Sequence, residues 1–126
     1  MKTKEQIMIE TFEFYSDPSN RAVRDNGGCF YRDPVNLKQC AVGRCLNQEA
    51  ELEKLEHSVE RCWNEIQKLL LPEYQGNEYG FWQELQDWHD NSRNFLENEI
   101  SKEGLINAQK IWKRYSKELL PSILAN

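Results

Sequence analysis

The chain has 126 residues, of which 39% are hydrophobic and 29% charged, enough for one domain with a single core and too few for two. Four Trp, five Tyr and five Phe exclude a disordered chain, since aromatic residues are what disordered chains lack. A formal charge of −5 argues against a generic phosphate-neutralising surface, so direct nucleic-acid binding is not expected.

The first segment, Lys4 to Tyr15, carries Met8, Phe12 and Tyr15 at helical spacing behind Thr3 as N-cap, which predicts a helix over 4–15. Asp17-Pro18-Ser19-Asn20 breaks it, because proline disfavours the helical conformation of its predecessor. No apolar run reaches the ~20 residues a membrane span needs. The start, Met1-Lys2-Thr3-Lys4-Glu5, runs into this helical pattern rather than into a signal-peptide core. A cytoplasmic protein without membrane association is the expectation. Its cysteines are then expected to be reduced thiols.

Asp25-Asn26-Gly27-Gly28 signals a turn, Cys29-Phe30-Tyr31 favours extended chain, and Asp33-Pro34-Val35-Asn36 turns again towards Leu37-Lys38-Gln39-Cys40. A small β-hairpin over 25–41 follows, with Cys29, Tyr31 and Leu37 on its buried face. Leu52, Leu55, Val59, Cys62, Ile66 and Leu69 recur at spacings of three and four, predicting a helix over 46–71 that stops before Pro72. Tyr74 and Tyr79 sit in a Gly-bearing linker. The rhythm resumes through Trp82, Leu85, Trp88 and Leu96, predicting a helix over 80–99. Leu105, Ala108, Ile111, Trp112, Tyr115 and Leu119 predict a last one over 104–119, ended by Pro121. The fold class expected is mostly α, a single domain over 1–126 with four main helices and a small β-hairpin packed on them.

Three of the four cysteines fall between Cys29 and Cys45. Cys29, Cys40 and Cys45 with His89 would make a three-thiolate, one-imidazole zinc site, but only Cys40 and Cys45 come close, and five residues apart is a poor clamp. Small buried hydrophobes are the preferred reading of these thiols, and no metal or cofactor is expected. For nucleophilic catalysis the candidates are Cys40, with Arg44 nearby, His89 as base and Asp90 as its orienting partner. Neighbouring side chains on a helix diverge, which places Asp90 badly for that role. An enzyme is therefore not the favoured reading, and His89 is read as a core or interface residue.

Anion binding has two sources. Arg32 and Arg44 belong to a cluster of basic residues around the hairpin, and Lys110, Lys113, Arg114 and Lys117 form a stripe on the last helix. Tyr74 and Tyr79 could stack a base or ring. A solvated face balanced by the acidic stretch from Glu49 to Glu65 is the simpler account of the same charges.

Cys29-Phe30-Tyr31, then Cys40-Ala41-Val42-Gly43, and later Leu85-Gln86-Asp87-Trp88-His89-Asp90 followed by Gly104-Leu105 resemble a pattern in small proteins of phages and prophages. There a Cys-x-Tyr hairpin leads into a Cys-Ala-x-Gly turn and a Leu-Gln-x-x-His-Asp element. The resemblance spans roughly residues 25 to 105 and carries over Cys29, Tyr31, Cys40, Gly43, His89 and Asp90. It names no activity. It implies a non-enzymatic protein that binds a host protein stoichiometrically in the host cytosol, as an inhibitor or in counter-defence, with a homo-oligomer possible. Sequestration of a small anionic nucleotide, a Cys/His enzyme and a zinc-stabilised module are the alternatives.

Overall fold

The computed structural model describes residues 1–24, 30–56 and 58–125. It is mostly helical, with α1 at Lys4–Phe14, α2 at Trp63–Leu69, α3 at Tyr79–Asp90 and α4 at Lys102–Tyr115. Among the described residues there is no sheet, only isolated antiparallel bridges at Leu46↔Leu70 and Phe95↔Ile100. Among those residues too, no helix is long and apolar enough to cross a membrane.

Local signals account for three of the helices. Thr3 Oγ1 accepts from the Gln6 amide while Gln6 Oε1 accepts from the Thr3 amide, a capping box that satisfies two orphan donors at the start of α1. Ile7, Met8, Thr11 and Phe12 form its buried face. Ser101 Oγ caps α4 through the Gly104 amide at 2.9 Å, and Gly104, Ala108, Ile111 and Trp112 turn inwards. In α3 the buried side is Phe81, Trp82, Leu85, Gln86, Trp88 and His89. Both α1 and α3 pack on α4. The rings meet edge to face, Phe12 on Trp88 at 4.8 Å and Phe81 on Tyr115 at 5.1 Å between centroids, the arrangement their quadrupoles favour.

The aromatic helix ends at Asp90 rather than near 99. Asn91 Oδ1 accepts from the Arg93 amide and Asn94 Nδ2 donates to the Trp88 carbonyl at 2.8 Å. These side chains thereby offer the backbone an alternative to continuing the helix. A tight return through Leu96 and Glu99 then leads into α4.

The helix expected over 46–71 is not formed. The described chain there has a single 3-10 turn at Leu52–Lys54 and then the seven residues of α2. Of the apolar positions expected on it, Leu52, Val59 and Ile66 are nonetheless fully buried and Cys62 is buried, while Leu55 and Leu69 are only partly buried against the core. A continuous helix would hold Leu46 and Leu70 about 36 Å apart at 1.5 Å per residue. Instead they are bridged, with the Asn47 amide donating to Leu69 O at 2.7 Å and the Leu71 amide to Cys45 O at 3.0 Å.

The hairpin over 25–41 is likewise not seen in its described part, and residues 25–29, including Cys29, lie outside the described residues. Phe30 O accepts from the Cys40 amide and Lys38 O from the Asp33 amide, but the segment between them is a loop rather than a ladder. Pro34 has no amide to donate, and Leu37 takes a φ of +64°, outside the strand region. Tyr31 is buried as expected, whereas Leu37, assigned to the buried face, is 62% exposed.

Candidate functional site

The residues with reactive potential are built into the frame. His89 is fully buried on the last turn of α3. Its Nε2 accepts from the Ala22 amide at 3.2 Å, and its Nδ1 lies 2.8 Å from Asp90 Oδ1. Only the neutral tautomer protonated on Nδ1 satisfies both partners. Burial pushes the imidazole below its ordinary 6.5, against the pull of Asp90. Asp90 does orient His89, contrary to the divergence expected of helical neighbours, because Asp90 is the final residue of α3 and its carboxylate can fold back. The same Oδ1 accepts from Gln86 Nε2 at 2.9 Å, and Gln86 Oε1 accepts from the Val42 amide at 3.2 Å.

That chain of bonds ties α3 to the Cys40–Cys45 turn. Cys40 Sγ accepts from the Gly43 amide at 3.4 Å, and Cys45 Sγ donates to Ala41 O at 3.6 Å. Both thiols are buried, and burial pushes Cys45 up to about 12, far from a nucleophilic thiolate at neutral pH. With both ring nitrogens of His89 engaged, its imidazole has no lone pair free to activate Cys40. Among the described residues, no three His, Cys, Asp or Glu are arranged to hold a metal.

The cationic and aromatic candidates separate. Arg44 and Tyr74 come together, but around an internal anion: Glu10 Oε1 accepts from Arg44 at 3.1 Å and from the Tyr74 hydroxyl at 2.6 Å, while Lys2 pairs with Oε2. Burial works to raise the Glu10 pKa, and the hydrogen bonds from Lys2, Tyr74 and Arg44 outweigh it, holding the carboxyl below its ordinary value. Tyr79 is 45% exposed and stands beside Trp63. Lys110 and Arg114 line a cleft of about 260 Å³ between α3 and α4 that also holds Glu84 and Asp87, and Arg114 pairs with Glu84. That cleft is of mixed charge rather than basic. Lys113 is exposed on α4, and Lys117 lies past its end.

Arg32 is held by four hydrogen bonds. Its guanidinium grips Glu53 at 2.7 and 2.9 Å, and donates to the carbonyls of Gln48 and Ala50 at 2.9 and 3.0 Å. This fork-to-fork pair is the strongest ion-pair geometry available to arginine. It clamps one foot of the loop from Asp33 to Lys38. At the other foot the Tyr15 hydroxyl donates to Gln39 O at 2.5 Å.

Between those feet the loop is internally braced. Asp33 Oδ1 accepts from the Val35 amide at 2.8 Å, Asn36 Oδ1 from the Lys38 amide at 2.9 Å, and Asp33 O from the Leu37 amide at 2.9 Å. These nested Asx turns hold Pro34, Val35 and Leu37 outwards, with Val35 89% exposed. Gly43 closes the base, since a Cβ there would stand 2.0 Å from Tyr31 O. The loop was legible as a turn from Asp33-Pro34. Its outward Val35 and Leu37, and the bracing role of Gln86, were not. No family model, curated protein or solved structure matches this chain.

Proposed function

We propose that the protein acts by stoichiometric binding to another protein, which the 33–38 loop enters. The observation that carries this reading is a braced loop that holds two large apolar side chains in water, one of them on a left-handed backbone. A left-handed conformation costs a non-glycine residue roughly 1–2 kcal/mol, and the surrounding hydrogen bonds over-determine it. Rigidity of this kind lowers the ordering cost of association. A convex tip of Val35 and Leu37 suits a concave apolar pocket, with burial of each side chain worth roughly 1.5–3 kcal/mol. The resemblance to phage-type proteins makes a host protein the expected partner, and inhibition or counter-defence the expected consequence. The buried thiols and the doubly bonded His89 support binding over turnover.

The test compares the wild type with the double variant Val35→Asp, Leu37→Asp as baits in host lysate, followed by titration of the recovered protein. Expected are a 1:1 partner of the wild type and at least a hundredfold weaker binding by the variant at unchanged Tm, since each tenfold corresponds to about 1.4 kcal/mol. Equal affinity of the two baits for the same partner would sink the proposal.

A further inference from the structure

Another cleft among the described residues, of about 470 Å³, has a different chemistry from the loop and from the α3–α4 cleft. One wall is the face of α2 and its cap that presents Trp63, Gln67 and Leu70, which recur at the spacing that puts side chains on one side of a helix. The other wall is the turn carrying Gln75, Asn77 and Glu78. Gly76, between them, has φ +100°, a conformation glycine adopts without strain, and this shapes the bend that opposes α2. The volume lies within the ~300–1,000 Å³ range of small-molecule sites.

The lining is an indole, three carboxamides, a leucine and a single carboxylate, with no lysine or arginine in it. Lys4, which approaches Glu78 at 3.8 Å, adds to the negative group's neutralisation and not to an anion site. The lining itself offers a phosphate or carboxylate no cation, and the nearby Lys4 is already shared with Glu78, so an anionic ligand is disfavoured. Carboxamides both donate and accept, and are suited to hydroxyl or acetamido groups that do the same. Gln75 already donates to Leu70 O at 3.0 Å, which fixes its orientation, while Gln67 and Asn77 make no side-chain hydrogen bond among the described residues.

Trp63 is half-buried, unlike Trp82, Trp88 and Trp112, which are at most 2% exposed. Tyr79 stands beside it with ring centroids 6.3 Å apart and planes inclined at 60°. That edge-type contact is not the parallel slot that sandwiches a flat heteroaromatic base, and Tyr79 stands outside the lining of the cleft. An indole face flanked by amides instead suits the C–H face of a pyranose ring, whose polarised hydrogens meet the negative π cloud. We infer that this cleft is a binding site for an uncharged saccharide, with Trp63 as the stacking platform and Gln67, Asn77 and Glu78 as its hydrogen-bonding rim.

The test uses the full chain on an array of neutral oligosaccharides, with hits followed by saturation-transfer NMR and by the emission of Trp63. Chitobiose and maltotriose serve as defined probes, and adenosine as the planar control. Expected are saturable binding of at least one array glycan, transfer concentrated on pyranose C–H protons, and an affinity loss of about tenfold or more in Trp63→Ala, the loss of ~1.4 kcal/mol of stacking. Asn77→Ala, a change in the turn outside the helices, should weaken the same glycan at unchanged Tm and keeps the question answerable if Trp63→Ala misfolds. Binding of adenosine in place of any saccharide, glycan binding indifferent to both variants, or an array without hits would each overturn the assignment.

Discussion

Leu37 lets the proposed binding role be tested apart from stability. Its side chain is 62% exposed and its φ is +64°, so it adds little to the core while straining the backbone. Leu37→Gly removes that strain, roughly 1–2 kcal/mol, against a glycine entropy penalty of roughly 0.5–1 kcal/mol. The variant should unfold in urea between unchanged and about 1.5 kcal/mol more stable, yet bind the proposed partner more weakly. A marked destabilisation would mean that the Leu37 side chain is packed rather than presented. His89, by contrast, is a residue whose chemistry is used up by its setting: a ring with a donor bond to Asp90 and an acceptor bond from Ala22 orders two segments and leaves no lone pair for catalysis.

At the scale of elements, glycines mark where chains touch. A Cβ at Gly43 would meet Tyr31 O at 2.0 Å, and one at Gly104 would meet Asn94 O at 2.0 Å. Both obstacles are backbone and cannot swing aside. Gly43→Ala and Gly104→Ala should each cost about 1–3 kcal/mol by overpacking. Gly80, inside α3, has nothing within 4 Å of that position, and Gly80→Ala should add up to about 1 kcal/mol through helix propensity. Chemical denaturation of the three variants checks the contrast, and equal behaviour of all three would remove the close-contact account. The two contacts join different elements: Gly43 seats the loop base on Tyr31, and Gly104 seats the first turn of α4 against the turn after α3. Cys40, Gly43, His89 and Asp90, prominent in the sequence, form with Gln86 a structural clasp between α3 and the Cys40–Cys45 turn.

For the whole molecule the clasp sets the response to acid. His89 is held below its ordinary 6.5 in the folded state by burial, so below pH 6.5 the unfolded chain binds more protons than the folded one and stability falls as pH drops. Above about pH 6.5 this contribution is constant. Glu10, also depressed, adds a second loss at lower pH, beginning below its ordinary 4.5. Thermal melts from pH 8 to pH 5 should show Tm declining for the wild type, with the decline flattened in His89→Gln, itself less stable throughout. A wild-type Tm independent of pH across that window would contradict a neutral, buried His89.

The sequence by itself determined α1, the first three turns of α3 and most of α4, with the inward identity of Phe12, Trp82, Leu85 and Trp112, because periodicity and a cap such as Thr3 act over a few neighbouring residues, whereas the cap at Ser101 emerged only in the structure. It also marked Leu52, Val59 and Ile66 as core. Only the tertiary structure decided that those three reach the core without a long helix, since the bridge from Leu46 to Leu70 joins residues whose attraction leaves no local pattern. The same holds for the candidate sites. Arg32, Arg44 and Tyr74 read as ligand-binding types until Glu53 and Glu10, distant in the chain, are seen to occupy them. Val35, Leu37 and Trp63 read as ordinary apolar residues until the packing of everything else leaves them facing water, for exposure is a property of what the rest of the chain fails to cover.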